Sequence, residues 1–70
     1  MYTPTEQELK DMGFEYEPYF GCWFKYLDDN SVQYGDLYGW ILQLMGGDYE
    51  ANFIPKDRND VESIIRMFTF

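Results

Sequence analysis

The sequence predicts an α+β fold, in which an antiparallel meander sheet of three to four strands is flanked by an N-terminal and a C-terminal helix packed on one face. Residues 1–70 read as one domain. Three observations carry this. Gly46-Gly47 sits between two segments of period-two alternation. A capped, amphipathic helical pattern closes the chain, and a shorter capped pattern opens it.

Thr3-Pro4-Thr5-Glu6 marks a helix start: proline suits a first helical position, and both Thr3/Glu6 and Thr5/Glu8 have capping-box spacing. Leu9 and Met12 share a face. Gly13 suits a left-handed cap, with Phe14 folding back on Leu9. Phe14–Tyr19 then alternates as a strand, Tyr16 opposite Glu15 and Glu17, until Pro18 limits pairing and makes it an edge.

Cys22–Leu27 is a second strand with Cys22, Phe24 and Tyr26 on one face and Trp23, Lys25 and Leu27 on the other. Asp28-Asp29-Asn30 reads as a three-residue turn that pairs Tyr26 with Val32 and Phe24 with Tyr34, apolar against apolar. Gly35-Asp36 breaks the next strand. From Tyr38 to Phe53 the chain forms a hairpin about Gly46-Gly47. Its register sets Met45 against Asp48, Leu44 against Tyr49, Leu42 against Ala51 and Trp40 against Phe53. In the last helix, Asn59 is the expected N-cap with Glu62 three residues on. Val61, Ile64, Ile65 and Phe68 form an apolar stripe that should cover the face of Trp40, Leu42, Leu44, Tyr49, Ala51 and Phe53.

The formal net charge is −8, from 13 acidic and 5 basic side chains, and all of the excess lies before Lys56. Such a surface repels phosphate backbones and anionic lipid, so direct nucleic-acid binding and membrane binding are not expected. With no basic n-region followed by an apolar stretch, no signal peptide is expected, and no apolar run is long enough for a membrane span. The lone Cys22 suits a reducing, cytoplasmic setting. Without a histidine to join it, Cys22 makes neither a nucleophile–base pair nor a zinc site. No catalytic residue, cofactor or metal ligand is assigned. Asp28-Asp29-Asn30-Ser31 fails the calcium-loop pattern, with Val32 in place of an oxygen ligand, and turn chemistry explains it.

The functional expectation is therefore a non-enzymatic interaction protein that engages a basic protein surface. Trp23, Tyr19 and Tyr38 are the expected anchors, and Glu15, Glu17, Asp36 and Glu50 supply attraction. Trp23, Leu27, Ile41 and Met45 are expected on the sheet side away from the helices. Glu15 and Glu17, alternate residues of one strand, have a spacing that permits phosphate mimicry without requiring it. In size, acidity and missing catalytic residues the chain resembles the small acidic inhibitors of phages and mobile elements, anti-restriction and anti-CRISPR proteins among them. That resemblance implies occlusion of a nucleic-acid site on the partner. Two other classes fit the composition. One is a module that stacks sugars or cages a cationic group on exposed aromatics such as Trp23 and Tyr38. The other is a self-associating protein, for which a homodimer would relieve the small core of a 70-residue chain.

Overall fold

The computed structural model describes residues 1–69. The chain runs α1 (Glu6–Asp11), β1 (Glu15–Glu17), β2 (Cys22–Leu27), β3 (Asn30–Gly35), β4 (Gly39–Leu44), a single helical turn at Met45–Gly47, β5 (Tyr49–Phe53) and α2 (Arg58–Met67). The sheet has five strands, more than the three to four expected, in the order β1-β2-β3-β4-β5 with every neighbouring pair antiparallel.

Local chemistry explains each helix end. Thr5 caps α1 through its hydroxyl, which accepts from the Glu8 amide at 3.1 Å, and Glu8 returns the bond to the Thr5 amide. Pro4 therefore precedes the cap and is not the first helical residue. At the other end Gly13 takes a φ of 89°, its amide donates to Lys10 O, and the Phe14 amide donates to Leu9 O. This is the glycine-terminated arrangement the sequence predicts. Asp57, and not Asn59, caps α2, accepting from the Asp60 amide at 3.1 Å. Asp60 in turn accepts from the Lys56 amide, which locks the preceding loop and moves the start back two residues.

The β4–β5 register is the expected one throughout the ladder, from Trp40 opposite Phe53 to Leu44 opposite Tyr49. The turn differs. Asn30 Oδ1 accepts from the Met45 amide and Asp29 O from the Gly46 amide, so the strand ends at Leu44. Met45, Gly46 and Gly47 take φ of 55°, 69° and 97°, and Met45 and Asp48 bracket the turn instead of forming a ladder pair.

The turn between β2 and β3 is shorter than the three-residue turn expected. The β2–β3 connection is a two-residue turn, with Asp28 at a φ of 62° and Leu27 opposite Asn30. Trp23 therefore pairs with Tyr34 and Lys25 with Val32, while Phe24 meets Gln33 and Tyr26 meets Ser31. A one-residue change reverses both faces of β2. Trp23 and Leu27 turn toward the helices, and Phe24 and Tyr26 turn away. Lys25 is tolerated on the inner side because its ammonium runs out beside Gly13, where a Cβ would lie 2.6 Å from Nζ. There it meets the carbonyl-rich end of α1, and its stem covers apolar surface.

Between the sheet and the helices lie Leu9, Met12, Phe14, Leu27, Val32, Tyr34, Trp40 and Val61, all buried, with Leu42, Phe53, Ile64, Ile65 and Phe68 packed around them. Both helices thus cover one face. Tyr49 and Ala51 remain exposed, so α2 does not cover the outer half of the stripe assigned to it. Trp40 is at the centre, 1% exposed, with ring centroids of Tyr34 at 4.7 Å, Tyr2 at 5.9 Å, Phe53 at 5.9 Å and Phe14 at 6.0 Å.

The N-terminal segment is part of this core. The Tyr2 amide donates to Pro55 O, Tyr2 O accepts from the Trp40 indole at 3.0 Å, and the Tyr2 hydroxyl donates to Glu8 Oε2 at 2.6 Å. Burial, reinforced by the Glu8 carboxylate, pushes the Tyr2 hydroxyl up to about 12, while the bond from Tyr2 and then those from Thr5 hold Glu8 below its ordinary value. A phenol whose pKa is raised by folding contributes stability that is complete below its unfolded value and lost as pH rises through the folded one. The expected result is an alkaline loss of stability between pH 10 and about 12 that Tyr2→Phe reduces, read from melting temperature against pH. Glu8, shifted the other way, contributes above the ordinary carboxylate range and loses its contribution as pH falls through the lowered value.

Candidate interaction surface

The uncovered face of the sheet is built from alternate residues: Glu15 and Glu17 on β1, Cys22, Phe24 and Tyr26 on β2, Ser31 and Gln33 on β3, Ile41 and Gln43 on β4, Glu50 and Asn52 on β5. Its centre is polar yet dry. Ser31 and Gln33 are buried between the β2 aromatics and Ile41 and Gln43. A hydrogen-bond chain satisfies them: Gln33 Nε2 donates to Ser31 Oγ, Ser31 Oγ to Gln43 Oε1, and Gln43 Nε2 to Glu50 Oε2 at 3.1 Å. Among the described residues no buried side-chain polar atom lacks a partner. The face is therefore preorganised, since Gln43 and Glu50 are held before anything docks.

One side of this face is aromatic. Phe24 stacks on Tyr26 with centroids 5.8 Å apart and planes at 17°, Phe20 lies 5.8 Å from Phe24, and Tyr19 packs edge-on against Phe20 at 4.9 Å. Meander topology also brings two connections to the same end of the sheet, Pro18–Gly21 between β1 and β2 and Asp36–Tyr38 between β3 and β4. Tyr19 and Leu37 are there 87% and 89% exposed, with Phe20 and Tyr38 also exposed. Cys22 lies between these connections, its Sγ 2.9 Å from the place a Gly35 Cβ would occupy, so glycine is needed for that contact.

Charge is segregated in the same sense. Residues 15–53 hold seven carboxylates, Glu15, Glu17, Asp28, Asp29, Asp36, Asp48 and Glu50, and one cation, Lys25, which points to the helix side. Lys10, Lys56, Arg58 and Arg66 all belong to the helices or the α2 approach. The charged side chains that the open face and its turns themselves contribute are thus all acidic, with Lys25 and Arg66 reaching its edge beside Tyr26 and Asp28.

Of the residues singled out from sequence, Glu15 and Glu17 lie on the open face at the β1 edge, and Tyr19, Asp36 and Tyr38 gather in the two adjoining connections. Glu50 is on the same face at the opposite edge, tied to Gln43. Trp23 is not with them: it is on the helix side, beside Tyr16 at 5.3 Å. Leu27 is also on the inner side and buried. The residues missed are Phe24 and Tyr26, which replace Trp23 as the aromatic centre. The signal available was the tolerance of aspartate for positive φ, which allows Asp28-Asp29 to close a two-residue turn.

Among the described residues no group of Asp, Glu and Cys side chains is placed to hold a metal ion, and no helix is long and apolar enough to cross a membrane. No protein-family model matches the chain, and neither a curated protein nor a solved structure is significantly similar to it.

Proposed function

We propose that the protein is a non-enzymatic interaction protein that docks its open sheet face and the two adjoining connections onto a basic protein surface, covering a site at which that surface holds nucleic acid. The observation that carries this reading is the pairing of large exposed rings with charge of one sign: Tyr19, Phe20 and Tyr38 stand exposed in connections whose charged neighbours, Glu17 and Asp36, are carboxylates, and Tyr26 continues the aromatic row toward the far end of β2. Aromatic anchors surrounded by charge are the composition of a docking surface, and the like charges repel nucleic acid itself while steering a cationic partner. The resemblance in size and acidity to the small inhibitors of mobile elements supports occlusion as the outcome of docking. A cytoplasmic setting accords with one unpaired, half-buried cysteine.

The test is affinity capture from a cell extract with the wild-type chain, followed by titration of the purified basic protein that is recovered. Affinity is expected to fall at least tenfold between about 50 and 500 mM salt, because exposed charges are screened over that range. An affinity indifferent to salt contradicts the reading.

A further inference from the structure

On the helix side, at the end of the sheet that carries the two exposed connections, a groove of about 510 Å³ opens between α1, β1 and β2. Its walls include Tyr16, Trp23 and Tyr34, with Glu6, Lys10 and Asp36 around them. Trp23 pairs across the strands with both Tyr16 and Tyr34, so the corrected β2 register is what brings the three rings to one face. Tyr16 and Trp23 are tilted 60° to one another with centroids 5.3 Å apart. They form a corner and not a flat platform. Sugar rings stack on flat platforms, whereas a corner of rings surrounds a compact cation with the electron-rich faces that attract it.

We propose that this groove binds a compact organic cation, a methylated ammonium or guanidinium group, against Trp23, Tyr16 and Tyr34, with Glu6 and Asp36 supplying the counter-charge. The charge of Asp36 reaches the interior: after burial, it is the cause that raises the Tyr34 hydroxyl above its ordinary value. Anions are disfavoured by two carboxylates facing one lysine. Lys10, exposed on the last turn of α1, is the one cation among the residues that line the groove, which gives the site a variant that should strengthen binding as well as ones that weaken it. This inference does not rest on the docking reading: the groove opens on the helix side of the sheet and shares only its rim, at Gly21 and Asp36, with the connections assigned to docking.

The experiment follows the Trp23, Tyr16 and Tyr34 ring resonances by NMR at constant ionic strength, while tetramethylammonium, guanidinium, tert-butanol or glucose is added. Tetramethylammonium is expected to shift them saturably with a midpoint on the order of 10 mM, as suits a half-exposed cation–π site. Its neutral isostere tert-butanol should have little effect. Tyr16→Leu, at a half-exposed position that does not support the core, should weaken binding about threefold, as should Asp36→Asn, while Lys10→Met should strengthen it about twofold. A glycine-flanked arginine peptide separates the sources: tighter binding than free guanidinium assigns the groove to a partner side chain, and binding no tighter assigns it to a free cation. Equal shifts with tert-butanol, saturation by glucose, or indifference to Asp36→Asn and Lys10→Met together would overturn the proposal.

Discussion

Trp40→Ala is expected to remove about 3–5 kcal/mol of folding stability, the range for deleting a fully buried aromatic ring. Chains of this length have a net stability of roughly 4–10 kcal/mol, so the variant loses a large share of it, and at the lower end all of it. The size of the effect follows from what Trp40 joins. Its ring contacts Tyr2 from the N-terminal segment, Phe14 after α1, Tyr34 on β3 and Phe53 on β5, and its indole N–H fastens the Tyr2 carbonyl. Removing it opens a cavity bordered by four separate segments. Trp40→Phe keeps part of the volume and should lose about half as much. Trp23→Ala, at a half-exposed position on the groove, should cost no more than about 2 kcal/mol. Urea unfolding followed by circular dichroism orders the three, and equal losses at Trp23 and Trp40 would contradict the core described.

Glu15→Lys, Glu17→Lys and Glu50→Lys combined should weaken the basic partner's binding at least about 100-fold while leaving the fold intact. Each side chain is on the open face, and each reversal turns an attraction of roughly 0.5–1 kcal/mol into a repulsion of similar size. Stability should fall by no more than about 1–2 kcal/mol, because Glu17 gives up its bond from the Tyr19 amide and Glu50 its bond from Gln43, while the reversals relieve self-repulsion in a chain of net charge −8. Reversing Glu6, Asp11 and Glu62, which lie on the helix side and cap neither helix, changes the net charge equally. That variant should bind far better than the first, and calorimetry with the purified partner measures both. Equal weakening by the two sets would mean that overall charge, and not the face, drives association.

How much of this was readable from the sequence depended on contrast within each element. In β4 the alternation of Trp40, Leu42 and Leu44 with Ile41 and Gln43, closed by two glycines, left one register for β5, and the ladder has it. The α1 ending was equally legible because glycine at a left-handed position has few substitutes. In β2 both faces are largely apolar, Cys22, Phe24 and Tyr26 against Trp23, Lys25 and Leu27, so period two carries no preference. Lys25 then weighed the wrong way, because its stem lies on the inner face while its ammonium escapes beside Gly13. The two-residue Asp28-Asp29 turn reverses the strand, exchanging Trp23 for Phe24 and Tyr26 on the open face and building the aromatic groove on the other. The acidic half of the surface survived that exchange, since Glu15, Glu17 and Glu50 belong to strands whose facing did not change.

The most direct measurement is the NMR footprint of the purified basic partner on this chain. Resonances of Phe20, Phe24, Tyr26 and Tyr38 should shift and become protected from solvent, with Asp57, Ser63 and Met67 on the α2 side unchanged. A footprint on Asp57, Ser63 and Met67 that spares Phe24 and Tyr26 would contradict the assignment of the open sheet face as the docking surface.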